Sequence, residues 1–498
     1  MSPKRCVPVA ARANIDGSCY GDGEVRANPT AAVWRVGLIG GLGAGCEQER
    51  ARRGWPSFPP RSQIPPMPIP KRAVWSWILY DLANTIFSMG VVSLYFSLWV
   101  REAVGADRAD FVYGIITAIS MGIIFIISPL LGAMTDRAPR RMPFLVVSTL
   151  LCVGLTLLLV RSGYWPTILA FVFANAAYQA GLQFYDALLP EVTTEENRGR
   201  ISGIGVGLGY LGSYFAVGIG LLMGTEDKSA LFTAIAIAFL LLAIPCFLFV
   251  KERGNPNPRP VFGWRMIQES TAQTVRTLRG GKEYPGLLRF LVGRVFYTDA
   301  INTVINVMAL YTVNVGVASG LGQTDSEGKA QQIMLLAITF AVIGGFVWGR
   351  MVDRIGPKRT LDRVLWLWVW TFIGAATVGI FALPVQSLFV VASMAGIALG
   401  GIWSADRPYM LRLTPPDRIG EFYGLYGMVG RFSAITGPLI WAAVAWICIG
   451  QLGMSPERGQ GIGVVVLLGL ILISRWILGP VTDEPRNWEA LRSARTAA

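Results

Sequence analysis

The sequence predicts an all-α membrane protein of twelve transmembrane helices, arranged as two parallel-repeat six-helix bundles. Three observations carry this. First, 53% of the 498 residues are hydrophobic and only 15% are charged, where soluble domains carry nearer a quarter charged. Second, the apolar residues fall in blocks long enough to cross about 30 Å of hydrocarbon. Third, three short motifs of the first half return, in order, in the second.

Apolar windows place spans near 73–100, 109–134, 142–160, 164–189, 200–223 and 229–250. A second set follows near 288–315, 328–351, 361–383, 386–411, 420–448 and 461–482. The Lys and Arg residues concentrate in alternate joints, as with Arg137, Arg140, Arg141, Arg198, Lys251, Arg354, Lys358 and Arg359. By the positive-inside rule those joints and both termini are expected to be cytoplasmic, in the cell (inner) membrane. The same rule accounts for the net charge of +13 without a nucleic-acid partner.

The expected organisation is a disordered cytoplasmic tail over 1–70, an N-terminal bundle over 71–250 and a cytoplasmic inter-bundle loop over 251–286. A C-terminal bundle over 287–482 and a cytoplasmic tail over 483–498 complete it. The first segment is rich in Pro, Gly and Arg, ending in a Pro56 to Pro70 tract that resists helix. Its GLIGGLGAG stretch lacks the strand–helix unit of a dinucleotide loop, and no compact signal-peptide order is present. MPIPKRAVW reads like the start of a first span, so translation from Met67 is one hypothesis; the intact mass of the native protein tests it.

The repeat rests on Asp81, Asn84 and Thr85 in span one, which read DxxNT, as do Asp299, Asn302 and Thr303 in span seven. Gly132, Asp136 and Arg137 match Gly349, Asp353 and Arg354, and Gly199 and Gly203 match Gly420 and Gly424. Each half has six spans, so both copies enter the membrane in the same sense, as parallel repeats.

Polar side chains inside hydrocarbon are costly and mark cavities or partner helices. Spans three, six, nine and twelve are nearly pure apolar. Spans one, four and seven carry Tyr80, Asp81 and Asn84; Gln179, Gln183 and Asp186; and Arg294, Asp299, Asn302 and Asn306. Span ten carries Asp406 and Arg407. Asp299, Asn302 and Asn306 step by three and four and would share one helical face. At about 1.5 Å per residue Asp299 would lie near the midplane. The midplane groups are the expected solute or ion site, weighed against interhelical hydrogen bonding, which is worth about 0.6 kcal/mol per contact. Asp186, Asp406 and Arg407 are expected at the cytoplasmic mouth as a gating salt bridge. The glycines of span five, Gly203, Gly205, Gly207, Gly209 and Gly212, suit close helix packing.

Other chemistries lack their groups. The chain has no histidine, which removes the commonest general base and metal ligand. Its six cysteines, Cys6, Cys19, Cys46, Cys152, Cys246 and Cys448, show no CxxC pairing, so no metal site or disulfide framework is expected. Neither a GxSxG elbow nor a GxxxxGK[ST] loop is present. The expectation is a carrier without cofactor, not an enzyme. Proton coupling would fall to a carboxylate, Asp81 or Asp299; sodium coupling and uniport stay open. A monomer is expected.

The loops LLGAMTDRAPRR and WGRMVDRIGPKR resemble the signature of the major facilitator superfamily. That resemblance implies that Asp136 caps the start of span eleven and that the neighbouring arginines pair with acids near the end of span four, Asp186 or Glu191. Pro139 stands where the signature usually has glycine. More narrowly, YDLANTIFS, FYDALLPEVTTEENRGRISGIGVGLGYLGS and FYGLYGMVGRFSAITGP look like the vacuolar amino-acid effluxer branch, across most of residues 72–482. This implies export of small solutes, with amino acids as one class. A sugar–cation symporter of a related twelve-span family is the alternative, for which Tyr80, Tyr178 or Trp403 would stack on the sugar.

Overall fold

The computed structural model describes residues 69–488, save 162, 225, 256, 257, 262, 280–283, 285, 485 and 487. The expected N-terminal tail up to residue 68, its glycine patch and Met67 lie outside the described residues, as does most of the C-terminal tail.

Twelve long helices appear among the described residues. The first half holds α1 Lys71–Val104, α2 Ala106–Arg137, α3 Met142–Leu157, α4 Tyr164–Ala187, α5 Arg198–Met223 and α6 Lys228–Phe249. The second holds α7 Leu287–Ala318, α8 Gln323–Ile355, α9 Pro357–Ile380, α10 Ser387–Leu413, α11 Ile419–Gln451 and α12 Pro456–Leu478. Ten of these are long and apolar enough to cross a membrane. The other two are α3, which is apolar but shorter, and α4, whose polar residues lower its hydropathy. Large apolar side chains such as Phe111, Ile126, Leu222 and Trp476 are exposed on the outside, a surface suited to lipid rather than water.

The duplication is visible in the packing. In the first half α1 packs on α5 and α6, α3 on α4 and α6, and α2 on α4; in the second, α7 packs on α11 and α12, α9 on α10 and α12, and α8 on α10. The halves meet along α2–α11 and α5–α8, again equivalent pairs. The fold is therefore an all-α membrane fold of two six-helix bundles related as parallel repeats.

Glycine sets the closeness of both seams. A Cβ at Gly203 would strike the backbone of Gly345 and Gly349, and one at Gly420 the carbonyl of Gly132. Small residues let helices approach where lipid gives no hydrophobic drive between them. Sharp helix ends use glycine differently: Gly105 and Gly356, at φ +86° and +89°, hold a conformation that other residues rarely adopt.

One element departs from expectation. The inter-bundle loop contains a helix, Trp264–Arg279, that packs on α2. It buries Met266, Ser270, Thr274 and Thr277, one face at helical spacing. Apolar windows miss such a helix because its buried face is mostly hydroxyls. Thr277 and Gln273 donate to the Glu421 carboxylate at 2.7 and 2.6 Å, which ties the loop to the start of α11.

Candidate functional site: a charged cavity between the halves

At the end of the molecule carrying the basic joints, the two halves are tied together by paired caps. Asp136 accepts hydrogen bonds from the Gly420 and Glu421 amides at 2.6 and 2.7 Å. Its repeat mate Asp353 accepts from Gly199 and Arg200 at 2.7 and 3.0 Å. Each carboxylate satisfies orphan N–H groups at the start of a helix in the opposite half and complements that helix dipole. A second pair lies within the halves. Glu252 accepts from the Arg141 and Met142 amides at the start of α3, and Asp483 accepts from Lys358 at the start of α9 at 3.1 Å.

The other loop groups sort differently from the expected pairing. Arg141 pairs with Asp136 at 3.2 Å and Arg137 with Glu269 at 3.0 Å. Glu191 is taken by Arg253 at 3.1 Å and Asp186 by Arg407. The arginines after α2 thus take Asp136 and the inter-bundle helix as acid partners rather than Asp186 or Glu191, and Arg141 reaches the end of α4 only through the Ala187 carbonyl at 3.5 Å. Lys358 pairs with Asp362 at 2.5 Å, while Arg140 and Arg354 are exposed.

Between the halves lies a cavity of about 340 Å³, within the range of small-ligand sites. Asp81, Asn84 and Thr85 of α1 line it with Gln179, Gln183 and Asp186 of α4. From the other half come Arg294, Thr298 and Asn302 of α7, Trp403 and Arg407 of α10, and Tyr426 and Arg431 of α11. In its wall an ion bridge joins the two halves. Arg407 Nη1 donates to Asp81 Oδ2 at 3.1 Å, and Nε lies 2.9 Å from Asp186 Oδ1. The second contact is a close ion pair without the alignment of a hydrogen bond. All three residues are less than one-tenth exposed, so the bridge is weakly screened.

Asp186 and Arg407, expected as a gating salt bridge, pair across the halves in the cavity wall with Asp81. Asp406 does not line it. It is fully buried and accepts from Arg294 Nε at 3.0 Å, Tyr297 at 2.6 Å and Tyr426 at 2.9 Å. The Arg294 guanidinium lies 3.7 Å from the Tyr426 ring centroid, a cation–π contact that helps hold it. Gln183 also works structurally: it binds the Ser128 hydroxyl and carbonyl at 2.5 and 3.0 Å.

Three expected site residues sit elsewhere. Tyr80 is buried among Tyr185, Phe239 and Phe247, with its hydroxyl 2.7 Å from Thr149. Asp299 accepts from Thr436 at 2.7 Å, facing α11 where Gly437 lets the helices close. Asn306 is exposed. The face of α7 that reaches the cavity runs through 294, 298 and 302 rather than 299, 302 and 306, and one residue of helix turns a side chain by about 100°.

Arg431 was not among the sequence candidates, although it lies in one of the segments that carry the family resemblance. Its signal is a lone arginine within an apolar span, in GMVGR. The glycines serve the guanidiniums. A Cβ at Gly427 would fall on Arg431 Nη1, and one at Gly430 would lie 3.3 Å from Arg294 Nη1.

Comparison with known proteins agrees with this architecture. The uncharacterized MFS-type transporter YxiO of Bacillus subtilis is 25% identical over 421 residues, 80% of this chain and 93% of its own length. Autophagy-related protein 22-1 of Emericella nidulans is 24% identical over 304 residues, 54% of this chain and 50% of its own. The crystal structure of the human organic anion transporter MFSD10 (TETRAN) matches with a TM-score of 0.65 at 16% identity, covering 83% of this chain and all of that one; at that identity the likeness speaks for the fold alone. The family model described as Major Facilitator Superfamily matches residues 82–438 and again 300–496. The chain belongs to the Major Facilitator Superfamily.

Proposed function

We propose that this protein is a secondary carrier that moves a small polar solute by alternating access, the bundles 71–250 and 287–482 rocking about the central cavity. The observation that carries this is the Asp81–Arg407–Asp186 bridge: one buried guanidinium of the second half holds two carboxylates of the first, in the wall of the cavity. A buried charge cluster in a membrane protein is expensive and marks a solute or ion path. Opening the basic end requires Arg407 to part from Asp81 and Asp186, so whatever neutralises those acids controls the change.

Proton coupling then falls to Asp81 and Asp186, which share one cation, rather than to Asp299, which lies behind the cavity wall. Sodium held by the same carboxylates is the other source of coupling. The Lys and Arg residues of the basic end favour the cytoplasmic side for it, and on that reading both termini are cytoplasmic, with the cell (inner) membrane as the proposed location. Amino acids are the proposed solute class, on the sequence resemblance of YDLANTIFS and the two longer segments alone. The functional unit is taken as one chain, without cofactor or metal.

The test is counterflow of labelled amino acids in proteoliposomes. Wild type should exchange at least one amino acid, and Asp81→Asn should lose uphill accumulation while remaining folded. Accumulation unchanged in Asp81→Asn refutes the role of the bridge.

A further inference from the structure

Three guanidiniums line the cavity, and two have carboxylates. Arg407 takes Asp81 and Asp186, and Arg294 takes Asp406. The third, Arg431, is only 5% exposed and has no carboxylate partner among the described residues. It donates Nη2 to the Gln179 carbonyl at 2.5 Å and Nη1 to the Ser128 hydroxyl at 3.5 Å, both neutral acceptors, and its Nε has no partner. The set of three arginines and three aspartates is neutral as a whole, but two of the acids sit on one arginine, and Arg431 is left short. A buried cation without an anion is costly to keep.

Other groups in the same wall are also unsatisfied. Both amide atoms of Asn84, 2% exposed, and the hydroxyl of Thr298, 1% exposed, lack hydrogen-bond partners. They come from α1 and α7, opposite halves, and face the cavity that Arg431 enters from α11. Buried polar groups are ordinarily paired, so several orphans around one space point to a ligand that supplies what is missing.

Resting on the carrier function above, we propose that Arg431 docks an anionic group of the transported solute, a carboxylate, with Asn84 and Thr298 serving its polar remainder. The planar guanidinium can hold a carboxylate through two parallel N–H groups, one of them the unpaired Nε–H. Binding also bears on the conformational change. Gln179 is on α4, so an anion that draws Nη2 from its carbonyl weakens a contact between the halves and favours their separation.

The experiment uses the full chain in detergent and matched probes: lactate against lactamide, and L-leucine against L-leucinamide. The first pair presents a simple carboxylate and the second the carboxylate of a zwitterion, so the arms separate these two sources. Thermal stabilisation should follow the carboxylate member of at least one pair. Arg431→Gln should weaken that binding about ten- to hundredfold, the loss expected for one charge-assisted contact. Arg431→Lys should restore part of it. Without probe, Arg431→Gln should melt no lower than wild type, because it removes an unpaired buried charge; a merely structural arginine would lower the melting temperature and leave probe affinity unchanged. Equal stabilisation by both members of each pair, or by neither, overturns the proposal, as does full affinity in Arg431→Gln. If neutral members undergo counterflow equally through wild type and Arg431→Gln, anion docking falls while the carrier function stands.

Discussion

At the basic end the two halves mirror one another, and in the cavity they do not. Asp136 caps α11 as Asp353 caps α5, Glu252 serves α3 as Asp483 serves α9, and glycines close both seams. In the cavity the repeated DxxNT motif has diverged in use: Asp81 holds Arg407 in the wall, while Asp299 turns away to Thr436. Arg431 of α11 has no charged counterpart in α5, where Gly209 and Tyr210 line the cavity instead. The difference follows from what each region must do. The seams join backbone to backbone, and both copies need the same caps and the same small residues. An asymmetric solute needs unlike groups on its two sides, so the duplicated positions are free to part.

That contrast can be broken by mutation. The largest effect is expected at Arg407→Gln, which leaves Asp81 and Asp186 buried without their cation. Removing one partner of a buried pair costs about 3–5 kcal/mol, to be seen as a lower melting temperature and lost counterflow, with partial recovery of stability in the double variant Arg407→Gln with Asp81→Asn. Next is Gly203→Val, whose side chain would strike Gly345 and Gly349. The protein should fold but fail to close its basic end, with transport abolished and cysteines placed at that end becoming more reactive. Asp136→Ala and Asp353→Ala should each cost about 1–2 kcal/mol, as for lost helix caps. Their costs should add, since the two carboxylates share no partner, with Asp136→Ala the costlier because it also frees Arg141; a cost at only one of the two sites would break the symmetry claimed for the seams. Asp299→Asn should be the mildest, changing stability by less than about 1 kcal/mol, because the amide can still accept from Thr436. Transport in that variant should persist, against its loss in Asp81→Asn.

Much of the fold was legible because the membrane makes the signal simple: apolar length gives spans, and a repeat at nearly constant offset gives two bundles. Capping by Asp136 was legible from the loop motif, and Asp81, Asn84, Gln179 and Asn302 from polarity inside apolar blocks. What stayed hidden depends on rotation and depth. Whether α7 presents Asp299 or Thr298 to the cavity is a turn of one residue, and DxxNT alone does not reveal it. That Arg407 holds Asp81 as well as Asp186 depends on which faces α1, α4 and α10 turn to one another, and the buried face of Trp264–Arg279 is too polar to show in a hydropathy window. Arg431 was readable as a charge inside an apolar block. Its lack of an acid partner is a fact of three-dimensional packing.

Alternating access requires the tied basic end to be one of two states exchanging around the charged cavity. Pulsed electron–electron distance measurements between spin labels at two exposed residues of that end, Arg140 between α2 and α3 and Arg359 in the first turn of α9, test it most directly in proteoliposomes. The account predicts two distance populations, the longer one enriched when Asp81→Asn releases the bridge. A single narrow distance, the same in wild type and variant, would contradict it.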